Sequence, residues 1–173
     1  MSVHAFVDET KVGHLMVVAT VVSPGDLQLC RRALKDLRMK GQRRIHFTKE
    51  SDPRRRKIID AMCELPVVVD IYVADSARDR HDARPAALRR LTLDLLEARA
   101  QWLVIEQDDS VVDADRRVIF EALGTHRAEL QYAHARPGSE PLLWVSDAVG
   151  WCRQRGAPWK ERADRIVRAS HQV

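Results

Sequence analysis

Aromatic residues make up only 5% of this 173-residue chain, too few for the stacked platforms that hold single-stranded bases. Cysteine is scarce too. Cys30, Cys63 and Cys152 lie far apart in apolar helical stretches, with no CxxC or Cys/His spacing among them. That excludes a disulfide framework and a zinc knuckle, and leaves the thiols as small core hydrophobes in a reducing compartment. The first residues lack a basic segment followed by an apolar run and a cleavage site, so no secretory signal is read there. The longest apolar run, residues 15–22, is far too short to cross a bilayer. A cytoplasmic protein with no membrane partner is the expectation. Repeats, low-complexity runs and long linkers are also missing, and the length suits one domain over residues 1–173.

Charge, by contrast, is plentiful. There are 29 Lys plus Arg against 25 Asp plus Glu, a net +4, with a pI near 9.2. This balance leans towards an anionic partner. Arg greatly outnumbers Lys, and its planar fork suits bidentate phosphate contacts, although an Arg-biased genome gives the same excess.

The hydrophobic pattern alternates between strand and helix periods. VHAFVDET reads as a short strand ending on acids, and HLMVVATVVS returns as a strand apolar enough to be buried on both faces. Leu27, Cys30, Leu34 and Leu37 then recur at helical spacing after a possible Asp26 cap, and Gly41 ends the run. RRIHFTKE is expected to be a short extended piece, and SDPRRRKIIDAMCEL a helix with Pro53 in its first turn. VVVDIYVADS is a strand. A charged linker holding Pro85 leads to a helix over AALRRLTLDLLEAR. QWLVIEQDDS is a strand ending in acids, DADRRVIFEALGTHR a helix, and VSDAVGWCRQR a short helix followed by a basic tail helix, WKERADRIVRAS. An opening antiparallel hairpin followed by alternating strands and helices specifies an α/β fold with a mixed sheet flanked by helices.

Acids at the ends of buried strands stand out. Asp8 and Glu9 end the first strand, Glu106, Asp108 and Asp109 follow another, and Asp147 precedes a mostly apolar segment. Strand ends are where side chains leave the core yet stay rigidly held. Converging carboxylates repel one another, and a hard divalent cation keeps them ionised. Asp8, Glu9, Glu106, Asp108 and Asp147 are therefore candidate ligands for Mg²⁺ or Mn²⁺, and Asp8, Glu106 and Asp147 candidate catalytic groups. Two such ions can serve the attacking water and the leaving oxygen of a phosphodiester. The plainer reading is that loops are polar: Asp8 and Glu9 would be solvated, any of Glu106, Asp108 or Asp109 could be a loop acid, and Asp147 could cap a helix starting at Ala148. On a helix that began earlier, Asp147 would instead lie between Trp144 and Trp151.

His46 is a candidate for positioning or protonating a leaving group, or else a packed structural histidine beside Phe47. Glu50 is a further ligand or an acid of the next helix's cap region. Basic residues flank His46: Arg43 and Arg44 before it, Arg54, Arg55, Arg56 and Lys57 after it. They are candidates for gripping a nucleic-acid backbone, RNA or DNA. Positive charge at a helix start opposes the helix dipole, which favours a functional reason over a merely solvated face. Arg89, Arg90, Arg116 and Arg117 read as ordinary solvated helix faces.

AFVDET, IHFTKESDPRRR, LVIEQDD with DADRR after it, and EPLLWVSDAVGW together resemble, in this order, the domain of unknown function 3800 family of bacterial and phage proteins. The resemblance runs from about Phe6 to Trp151. It implies an RNase H-like fold, with Asp8 matching the first-strand aspartate, Glu106 the acid ending the internal strand, Asp147 the late helix aspartate and His46 the histidine segment. Two positions depart from the family pattern: Asp-Glu-Ser-Gly is here Asp8-Glu9-Thr10-Lys11, without the turn glycine, and Ser146 replaces an alanine. The activity implied is divalent-metal-dependent cleavage of phosphodiesters. Its rivals are a catalytically silent RNase H-like module that binds nucleic acid or protein, and a PIN-like nuclease with an all-parallel sheet. A homodimer is compatible with the sequence but does not follow from it.

Overall fold

A computed structural model describes residues 2–75 and 77–173. The first two strands, β1 (His4–Glu9) and β2 (Met16–Val22), form the expected antiparallel hairpin. α1 (Leu27–Asp36) and α2 (Asp52–Cys63) follow, then β3 (Val67–Val73), α3 (Arg80–Glu97), β4 (Trp102–Glu106) and α4 (Val112–Leu123). β5 (Gln131–Ala135), α5 (Leu142–Arg155), α6 (Trp159–Asp164) and β6 (Val167–Gln172) complete the order. The six strands lie in one sheet, in the order β5-β4-β1-β2-β3-β6. β2 is antiparallel to both β1 and β3, while β4 runs parallel to β1, β5 to β4 and β6 to β3. The mixed directions rule out an all-parallel sheet.

Side chains alternate across the pleat and sort into two cores. Phe6, Met16, Val18, Val69 and Ile71 face α1, α2, α5 and α6. Ala5, Val7, Val17, Ala19, Leu103 and Ile105 face α3 and α4. β2 is buried along its whole length, which accounts for its unbroken apolar run. Cys30 and Cys152 are fully buried and Cys63 partly so, all three as free thiols. Burial pushes the Cys152 thiol up to about 12, so it is an inert part of the core.

Four local expectations are corrected. RRIHFTKE forms no strand: it is a loop with a 3₁₀ turn at Phe47–Lys49. α3 starts at Arg80 rather than after Pro85, because the Asp79 carboxylate accepts from the His81 N–H (3.1 Å) and caps the helix. α5 starts at Leu142, where Glu140 Oε1 accepts from the Leu142 N–H (3.2 Å), so Asp147 lies within the helix and caps nothing. The basic tail is helical only to Asp164 and then becomes β6, paired with β3 and held by Arg168 on Asp70 (2.5 and 3.1 Å).

α5 lies directly on β1 and β2. A Cβ on Gly150 would stand 3.4 Å from Thr10 and from Val18, so glycine permits this close approach. The Ser146 hydroxyl donates to the Phe6 carbonyl (2.7 Å) and shares a buried hydrogen bond with Thr20 Oγ1 (2.7 Å). This buried pairing gives the Ser146 hydroxyl two partners inside the core. Ser146→Ala should lower unfolding stability by about 1–2 kcal/mol by leaving the Thr20 hydroxyl unpaired. Urea denaturation reads this directly; an unchanged midpoint would show that the bond contributes nothing.

Candidate active site

β1 and β4 are parallel neighbours in register, Val7 beside Ile105, so their next residues, Asp8 and Glu106, end side by side. Both share the parity of Phe6 and Val104, which puts them on the face covered by α5. Asp147 comes down from α5 one residue after the Ser146 contact. The three carboxylates line one cleft of about 250 Å³, together with Arg44, His46 and Lys11.

Asp8 is only 7% exposed. Burial first, then the negative charges of Glu106 and Asp147, push its carboxyl well above the usual carboxylate range, against the pull of the Glu9 N–H (2.7 Å). Burial raises Asp147 as well, and the charge of Glu106 adds to it; the Phe47 N–H (2.9 Å), His46 and Arg44 act in the opposite direction. The loop carrying His46 is fastened from α2: Arg55 donates to the carbonyls of Phe47 (2.9 Å) and Thr48 (2.6 Å) and lies 4.4 Å from the Trp151 ring centroid. Among the described residues, His46 Nδ1 is a buried polar atom without a hydrogen-bond partner.

The remaining candidates fall elsewhere. Glu9 borders the cleft, but its carboxylate is turned to the other side of β1, where Arg84 Nε donates to its Oε2 (2.8 Å) and Lys11 stands 3.4 Å from its Oε1. Asp108 accepts from the Ser110 N–H (3.0 Å) and hydroxyl (2.6 Å) in an exposed turn beside a second groove, between α3 and α4. These hydrogen bonds hold its carboxyl below the usual range. Asp109 accepts from Gln107 (2.7 Å). The buried Glu50 is held by Gln42 (2.5 Å) and Arg54 (3.6 Å). Arg54 also donates to the Leu37 carbonyl (2.8 Å), so Arg54 and Arg55 brace the loop. Arg43, Arg56 and Lys57 are exposed, and Arg44 lines the cleft.

Sequence reasoning missed Asp115, which is 1% exposed and clasped by Arg84 through both guanidinium Nη atoms and by His134 Nε2 (3.1 Å). The signal was available: Asp115 precedes Ile119 and Leu123 on the buried stripe of α4, and a charge on an apolar stripe needs a partner.

The donor set of the cleft suits a hard cation: carboxylate oxygens, a buried one among them, pressed together at energetic cost. Among the described residues, no three His, Cys, Asp or Glu side chains are gathered closely enough to enclose a metal ion by themselves. Asp147 is turned onto the Phe47 N–H instead.

No protein-family model matches the chain, and no curated protein does. Solved structures do. Ribonuclease HII of Archaeoglobus fulgidus, in its complex with PCNA, superposes with a TM-score of 0.60 at 15% identity, over 88% of this chain and 73% of that one. Ribonuclease H2 of Pyrococcus horikoshii OT3 gives 0.58 at 15% identity, over 88% and 72%. The six-stranded mixed sheet with helices on both faces is an RNase H-like fold.

Proposed function

We propose that the protein is a divalent-cation-dependent nuclease that hydrolyses phosphodiester bonds in RNA or DNA. The observation that carries this is one cleft lined by Asp8 from β1, Glu106 from β4 and Asp147 from α5, with Arg44 and His46 on its wall. Asp8, Glu106 and Asp147 would hold Mg²⁺ or Mn²⁺, which supplies an activated water and offsets charge developing on the phosphate. The chain's own groups divide the remaining work. Arg44 meets the backbone charge of the substrate at the cleft, and Arg43, Arg56 and Lys57 extend that attraction over the exposed surface. His46, on the cleft wall, would exchange a proton between its ring and the leaving oxygen. The Phe47 N–H orients the Asp147 carboxylate, which would hold the cation together with Asp8 and Glu106. Kinship with the domain of unknown function 3800 family and a cytoplasmic setting belong to the same proposal. Among the described residues no helix is long and apolar enough to cross a membrane.

The test is cleavage of end-labelled single-stranded RNA, single-stranded DNA, duplex DNA and RNA–DNA hybrid with Mg²⁺, Mn²⁺ or chelator. Cation-dependent cleavage should fall by about 10²-fold or more in Glu106→Gln and Asp147→Asn, with unchanged circular dichroism. Cleavage that survives chelator or both substitutions sinks the proposal. Binding without cleavage in every protein would leave the silent-module reading, which the turned-away Asp147 carboxylate favours.

A further inference from the structure

Glu9 is adjacent in sequence to the central carboxylate of the cleft, yet both its oxygens are engaged by cations of the protein itself. Oε2 accepts from Arg84 Nε (2.8 Å) and Oε1 is 3.4 Å from Lys11 Nζ. Arg84 is in turn fixed: its Nη atoms hold Asp115, and His134 Nε2 holds Asp115 from the other side (3.1 Å). The side chains of Arg84, Asp115 and His134 are 16%, 1% and 7% exposed. The chain of contacts crosses four elements, β1, α3, α4 and β5, and ends at an acid that borders both the cleft and the lateral groove.

A half-buried guanidinium serving two carboxylates cannot release one without leaving charge poorly compensated. Glu9 is therefore held back from the cation site although it borders the cleft. We infer that Arg84 is a positioning residue that withholds Glu9 from the cation site and so sets the site at three carboxylates. The inference rests on the cation-dependent reading of the cleft. It departs from simple acid counting, in which every carboxylate near Asp8 adds a ligand. Fewer charged ligands mean weaker cation binding, and weaker binding leaves room for substrate phosphate to complete the coordination.

Mn²⁺ alone is the probe, with free Mn²⁺ read by its electron paramagnetic resonance signal and no nucleic acid present. Glu9→Gln should bind Mn²⁺ within about twofold of the wild type, because Glu9 is already occupied. Arg84→Met combined with Asp115→Asn removes the clasp without stranding a buried charge, and should bind about tenfold more tightly. Adding Glu9→Gln to that pair should cancel the gain. A merely structural clasp would give no gain, and no dependence of it on Glu9. Either an equal affinity in the double variant or a loss in Glu9→Gln as large as that in Asp8→Asn overturns the inference while leaving the cleft reading intact. If Asp8→Asn leaves Mn²⁺ affinity unchanged, the cleft reading falls and this inference with it. The Glu9→Gln comparison stands even if the double variant does not fold.

Discussion

Asp8→Asn is expected to reduce cation-dependent cleavage on the order of 10³-fold while raising the melting temperature. The two effects share one cause. Asp8 is buried at the end of β1 and faces the charges of Glu106 and Asp147, so its ionised form is disfavoured and its carboxyl is pushed well above the usual range. A group whose folded pKa is raised holds its proton more tightly in the folded state, so it costs stability as pH rises above the unfolded value, about 3.9. Asparagine carries no such penalty. The gap in melting temperature between variant and wild type should therefore be absent below that pH. It should open as pH rises and stop growing once the folded pKa is passed. Each 1 kcal/mol gained is worth about 2–4 °C in a domain of this size. Mn²⁺ should narrow the gap by stabilising only the wild type. Differential scanning calorimetry from about pH 2.5 to 8, with and without Mn²⁺, measures all of this. A variant less stable than the wild type at pH 7 would mean that the carboxylates are not in conflict, and the case for a cation between them would be lost.

The sequence pattern carried the sheet well where segments were periodic and bounded. β1, β2, β3 and β4 are where alternation and apolar runs place them, and the helix start at Ser51, whose side chain accepts from the Arg54 N–H, was written in SDP. The misread segments are those decided by distant partners. Nothing local in VRASHQ prefers a strand; β6 forms because β3 would otherwise be an open edge, and because Tyr72 stacks on His171 at 4.8 Å. α3 extends back past Pro85 because Arg80 reaches the Thr10 and Gly13 carbonyls of the hairpin (2.6 and 3.2 Å). In the site, the pleat starts Asp8 and Glu9 towards opposite sides of the strand end, and the Arg84 contact keeps the Glu9 carboxylate there. Parity does not separate Glu106 from Asp108; the end of β4 at Glu106 does, because Asp108 lies in the turn that follows. The pleat rule was available from the letters. The Arg84–Asp115 pairing was not available, because it joins residues 31 apart on two helices.

That pairing should carry a large stability effect. Arg84→Met should lower the unfolding free energy by about 3–5 kcal/mol, because it removes the counter-ion of a carboxylate that water cannot reach. Asp115 keeps the His134 contact on Oδ2, but Oδ1 loses its donor, and Glu9 loses its partner on the rim. The loss comes mainly from the stranded charge, since an exposed ion pair is worth at most about 1 kcal/mol. Replacing Asp115 by Asn in the same chain removes that charge and keeps a side chain that can still meet His134, so most of the stability should return. Lys11 and the Glu9 rim, being more exposed, contribute little to either number. Urea denaturation of the wild type, the two single variants and the double variant closes the cycle. Equal losses in Arg84→Met and in the double variant would show that Asp115 needs no counter-ion. The clasp would then be packing alone, with no hold over Glu9.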